Sequence, residues 1–115
     1  MLEIRVKRVY AEPEPEDGRR VLVDRLWPRN VSKDRIDDWL KDLAPSTELR
    51  QDFHHGAVDF EGFRDRYRLE LEDREGEMEQ LLSGREKKVT LLFGSRDENH
   101  NNAVVLAEAL RDLQE

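Results

Sequence analysis

The chain has 115 residues, 37% of them hydrophobic and 41% charged, which is enough for one domain with one economical core over residues 1–115. It has no cysteine, so a disulfide framework, a thiolate metal site and a catalytic thiol are all excluded within it. With 27 acidic against 20 basic residues its net charge is −7, which argues against general binding to a nucleic-acid backbone.

The N-terminal stretch 3–10 alternates Ile4, Val6 and Val9 with charges, as a strand with one buried face does. It lacks the continuous apolar core of a signal peptide, and no run approaches the roughly 20 apolar residues of a membrane helix. A cytoplasmic location without membrane attachment is the expectation. Residues 11–18 are acidic and broken by proline, and read as a surface loop. Residues 20–26 form a dense apolar run suited to an interior strand, which Pro28 forces the chain to leave.

Ser32 is placed to cap a helix in which Ile36, Trp39, Leu40 and Leu43 recur at three- and four-residue steps. Pro45 ends that segment. A short helix starts at Ser46 or Thr47 and runs to the His54-His55-Gly56 sequence. Residues 58–72 follow as an amphipathic helix with Phe60, Phe63 and Tyr67 on one face. Met78, Leu81 and Leu82 mark another helical piece, closed by Gly84. Residues 88–94 carry the strongest strand pattern, and a last helix presents Ala103, Leu106, Ala107, Leu110 and Leu113. This order predicts a small, mainly parallel sheet flanked by helices.

In such sheets ligands gather beyond the carboxyl ends of the strands. Both interior strands end in polar sequence, Asp24-Arg25-Leu26-Trp27-Pro28-Arg29 and Gly94-Ser95-Arg96-Asp97-Glu98-Asn99-His100-Asn101. If the strands are neighbours, one cleft receives both. Arg25 and Arg29 can then fork onto a phosphate or carboxylate, and the start of the last helix adds backbone donors. His100 is the natural proton donor or acceptor, with Asp24 or Asp97 to orient it or act as base. Ser95 and Asn101 complete the candidate ligand contacts.

Each feature also has a structural reading. Asp24-Arg25 could be an ion pair at a strand end, Asp97 a helix cap, and His100 a partner for a loop carbonyl. Trp27 and Trp39 read as core. Adjacent His54 and His55 diverge by about 100° on a helix and lack a third ligand, so no metal site is assigned. The Arg64–Arg68 stretch reads as a solvated helix face. The sequence has no dinucleotide fingerprint, Walker loop or nucleophile elbow, and no cofactor is assigned.

Three blocks, RVLVDRLWPRN, DDWLKDLAPSTELRQDF and VTLLFGSRDENHNNAVVLAEAL, resemble the short, YeaO-like branch of the family named domain of unknown function 488. The resemblance runs from about Arg5 to Leu110. Two positions depart from its usual pattern: Asn30 replaces a glycine, and Asp52-Phe53 replaces an aromatic pair. The resemblance implies a three-layer, Rossmann-like α/β sandwich and marks Asp24, Arg25, Pro28, Arg29, Asp97, His100 and Asn101. Longer members often carry a cysteine where this chain has Asn99, so thiol chemistry does not carry over. The sequence therefore leads to a monomer or weak homodimer whose partner is a small anionic molecule, a phosphate or a carboxylate. Three roles stay open: a small-molecule enzyme, a non-catalytic module for an anion or nucleotide, or an interaction protein using its acidic helices.

Overall fold

Which strand sits at the centre of the sheet follows from which strand is apolar on both faces. A computed structural model describes residues 1–115 and contains four strands: β1 (Glu3–Arg8), β2 (Arg19–Leu22), β3 (Asp38–Trp39) and β4 (Lys88–Phe93). The order is β1-β4-β2-β3, and every pairing is parallel. Val89 to Phe93 are all buried, as an interior parallel strand requires, and β4 pairs with β1 on one side and β2 on the other. The four helices are α1 (Thr47–His54), α2 (Phe60–Glu72), α3 (Glu75–Leu82) and α4 (Asn102–Gln114).

Strand alternation divides the interior into two clusters. Ile4, Val21, Val23, Val89, Leu91 and Phe93 face the helices, where they meet Leu49, Phe63, Tyr67, Met78, Leu81 and the inner stripe of α4. Leu22 and Leu92 face the other way, onto Val9, Val31, Ile36 and the half-buried Trp27. That third layer is built from loops and short 3-10 turns. It also holds charge: the Asp17 side chain is 1% exposed and accepts hydrogen bonds from Lys7 Nζ (3.1 Å), Arg20 Nη1 and Glu14 N (3.0 Å). Its carbonyl accepts from the buried Thr90 hydroxyl at 2.7 Å. The surface loop expected at 11–18 therefore dips inward at its end, through a 3-10 turn at Pro15–Asp17. Gly18 follows at φ 63°, and a Cβ there would lie 2.4 Å from the Lys88 carbonyl oxygen.

The helix expected after Ser32 does not form. Residues Lys33–Arg35 make a 3-10 turn, β3 follows, and Lys41–Leu43 make another turn. The exposed edge of β2 captures the segment. Asp37 N donates to the Arg20 carbonyl at 2.8 Å, its carboxylate accepts from Arg20 N at 2.8 Å, and Leu40 N donates to the Leu22 carbonyl at 2.9 Å. Ile36 and Leu43 accordingly enter opposite clusters instead of one helical stripe. Ser32 caps nothing with its side chain, and its hydroxyl donates to Asp34. Trp39, read as core, is 38% exposed and meets Trp27 edge-on, with ring centroids 5.5 Å apart.

Elsewhere the local rules hold. Ser46 Oγ accepts from Leu49 N (3.1 Å) and Asp59 from Gly62 N (2.8 Å), so both helix starts are capped by side chains. Asn30 adopts φ 60°, the left-handed region that asparagine tolerates better than most residues. The solvated stretch of α2 is in fact tied to its neighbours: Arg64 grips Glu108, Arg66 meets Asp52 and Arg68 meets Asp112, while Tyr67 is fully buried.

Candidate functional site

Because β2 and β4 are parallel neighbours, their polar continuations leave the sheet together. Val23 N donates one last ladder bond to the Leu92 carbonyl at 3.1 Å, after which the two chains separate. The junction is fastened by Asp24. One carboxylate oxygen accepts from Gly94 N (2.8 Å), and the other from Asn102 Nδ2 (3.0 Å), which also reaches the Val23 carbonyl (2.9 Å). Trp39 Nε1 donates to the Asp24 carbonyl at 2.8 Å, fixing the same point from β3.

A cleft of about 440 Å³ opens above this junction. Its floor carries Asp24, Arg25 and Asn102. One wall is the face of α1 that presents Arg50, Phe53 and His54, and the other is the loop bearing Ser95, Asp97 and His100. Leu26, Pro45 and Phe63 supply apolar surface. Arg25 and His100 thus line one cavity, as the sequence expectation required. No group of three or more His, Cys, Asp or Glu is arranged to hold a metal ion.

The electrostatics differ from an ion-paired strand end. Arg25 does not pair with Asp24: its Nε donates to the Pro45 carbonyl at 2.8 Å. Arg50 makes no ion pair, and its buried Nε has no hydrogen-bond partner. Burial pushes the Asp24 carboxyl above its ordinary range, and the donors Gly94 N and Asn102, with the Arg50 charge, offset this only in part. Asp97 is held below the ordinary range, first by Asn99 N and then by the His100 ring, whose Nδ1 lies 3.0 Å from its carboxylate. The His100 ring also meets Phe60 edge-on at 4.9 Å.

Two expected contacts have other duties. Arg29 is exposed beyond Pro28 and does not line the cleft, and its carbonyl accepts from the Tyr10 hydroxyl at 3.1 Å. Asn101 touches the cleft but is 2% exposed. Its Oδ1 caps α4 through Val104 N (3.0 Å), and its Nδ2 donates to the Asp97 carbonyl (2.9 Å). Asn101, not Asp97, is the cap of the last helix. Ser95 accepts from Asp97 N at 3.2 Å and lends its carbonyl to Arg8. Arg50 and Asn102 are the residues that sequence reasoning missed. The signal for Arg50 was its spacing from Phe53 and His54, three and four residues on, which puts all three on one helix face.

Together the fold and the cleft define a small parallel α/β domain with a polar, ligand-sized recess at the carboxyl ends of its central strands. The chain belongs to the domain of unknown function 488 family: the family model described as "Inactive DUF488-N3 subclade" matches residues 3–115. It is 44% identical over 115 residues to the "Uncharacterized protein YeaO" of Escherichia coli (strain K12), covering 97% of this chain and all of that one. It is also 44% identical over 110 residues to the "Uncharacterized protein Rv3073c" of Mycobacterium tuberculosis, covering 93% of this chain and 92% of that relative. No solved structure matches. No helix is long and apolar enough to cross a membrane.

Proposed function

We propose that this chain is a cytoplasmic, non-catalytic binding domain for a small anionic metabolite, seated between Arg25 and Arg50. The observation that carries this reading is the pair of guanidinium groups in one cleft with no carboxylate partner, one of them with a buried, unsatisfied Nε. With no carboxylate at ion-pair distance from either guanidinium, an incoming oxyanion meets two positive charges that the protein leaves unneutralised. Arginine also suits phosphate and carboxylate because its planar fork binds two oxygens at once.

An enzymatic reading rests on the 3.0 Å contact between His100 Nδ1 and Asp97, which resembles a base and its orienting carboxylate. Two facts weigh against it. Both side chains are more than half exposed, and the same carboxylate accepts from Asn99 N and His100 N, so it already shapes the loop. The description of the matching subclade as inactive points the same way.

Calorimetric titration with inorganic phosphate, alongside thermal shift, tests the reading. Arg25→Ala and Arg50→Ala should each weaken binding by about tenfold or more, as expected for a charge-assisted hydrogen bond. His100→Ala should change affinity far less, and no phosphorylated probe should be turned over. Unchanged phosphate affinity in both arginine variants would refute the assignment. Turnover abolished by His100→Ala would establish the enzymatic reading instead.

A further inference from the structure

The cleft holds an acid where a simple anion site would hold none. Asp24 stands on the floor beside the two arginines, and each of its carboxylate oxygens accepts only one hydrogen bond from the protein. A carboxylate can accept about four, so lone pairs remain for a ligand. A bare oxyanion on Arg25 and Arg50 brings acceptors only and is repelled by Asp24. A dicarboxylate fares worse. A molecule with a hydroxyl next to its anionic group instead satisfies both halves of the floor.

Resting on the anion-binding reading above, we infer that the cleft selects phosphate monoesters of hydroxylated carbon frameworks. The phosphate sits on Arg25 and Arg50, and a sugar hydroxyl donates to Asp24. The remaining lining suits the rest of such a ligand. Leu26 and Phe53 offer apolar surface to a sugar ring, and the exposed His54 and His100 stand at the rim with further polar atoms. At about 440 Å³ the space exceeds what inorganic phosphate fills and falls within the usual range for small-molecule pockets. A free sugar phosphate and the sugar–phosphate part of a nucleotide share this chemistry.

The test compares four probes on the unaltered chain by calorimetry at constant pH and ionic strength: inorganic phosphate, phenyl phosphate, ribose 5-phosphate and adenosine 5′-monophosphate. Ribose 5-phosphate should bind about tenfold more tightly than phenyl phosphate, the gain expected of one hydrogen bond to a charged acceptor. In Asp24→Asn that preference should collapse toward unity. Because Asp24 also holds Gly94 and Asn102 in place, the probe ratio on the unaltered chain decides the matter even if the variant does not fold. The monophosphate arm assigns the source: tighter binding than ribose 5-phosphate points to a nucleotide, and equal or weaker binding to a free sugar phosphate. Phenyl phosphate binding as well as ribose 5-phosphate would overturn the inference while leaving the anion site intact. Failure of all four probes to bind would remove the anion site and the inference with it.

Discussion

Asp17 and Asp24 are both withdrawn from solvent, yet their environments move them in opposite directions. Burial alone would raise the Asp17 carboxyl, but Glu14 N, Lys7 and Arg20 outweigh it and hold the group below the ordinary range. In the unfolded chain it takes up its proton first, so its contribution to stability is present above the ordinary carboxylate range. That contribution disappears as the pH falls through the lowered folded value. For Asp24 the sign reverses: its raised value favours the folded state at low pH, and the advantage is lost as the pH rises through that value. Replacing Asp17 would leave Lys7 and Arg20 facing each other in a buried layer. Asp17→Asn should therefore cost roughly 3 kcal/mol at pH 7. Urea midpoints measured between pH 7 and pH 3 should also show a flatter acid limb in the variant. An unchanged midpoint at pH 7 would mean that the network contributes no stability.

At the scale of elements, two turns with positive φ make a controlled comparison. Gly18 precedes β2 at φ 63°, with β4 backbone 2.4 Å from where a Cβ would lie, whereas Gly56 after α1 has φ 76° and open space. Gly56→Ala should cost about 1 kcal/mol, the conformational penalty alone. Gly18→Ala adds a collision with a backbone that cannot retreat and should cost more than about 3 kcal/mol in denaturant titrations. Equal losses would show that β4 yields at this point. The same contrast explains what could be read from the sequence. The strand β4 and the helices α2 and α4 are legible because their periodicity is local. Ile36, Trp39, Leu40 and Leu43 mimic a helix stripe, but Asp37 and Leu40 bond to β2 and Trp39 pairs with Leu22, and no local pattern reports a bond to a distant edge. Asp17 failed for a related reason. An acid two residues after Pro15 and just before Gly18 looks solvated until Lys7, Arg20 and Thr90 arrive from elsewhere. Within the site, the strand ends announced Asp24, Arg25, Asp97 and His100. Pro28 turned Arg29 away, Asn101 served as a cap, and Arg50 resembled any arginine on a short helix.

For the molecule as a whole, protection should follow the sheet. Val89–Phe93 are fully or almost fully buried and flanked by strands on both sides, so their amides should exchange with deuterium only on global unfolding. The exposed 95–100 loop should exchange fast, and ribose 5-phosphate should slow it together with α1. Uniform exchange across these segments would contradict a rigid floor under a movable rim.

The position of β4 between β1 and β2 also bears on how the chain acquires its shape. The first two strands leave the ribosome early, but neither is the other's neighbour, and the strand that joins them begins only at Lys88, about 65 residues after β2 ends at Leu22. Until then both keep bare edges and uncovered apolar side chains. Completion of the sheet thus waits for a late insertion across a long loop, a step that slows folding and leaves the nascent chain in need of shelter.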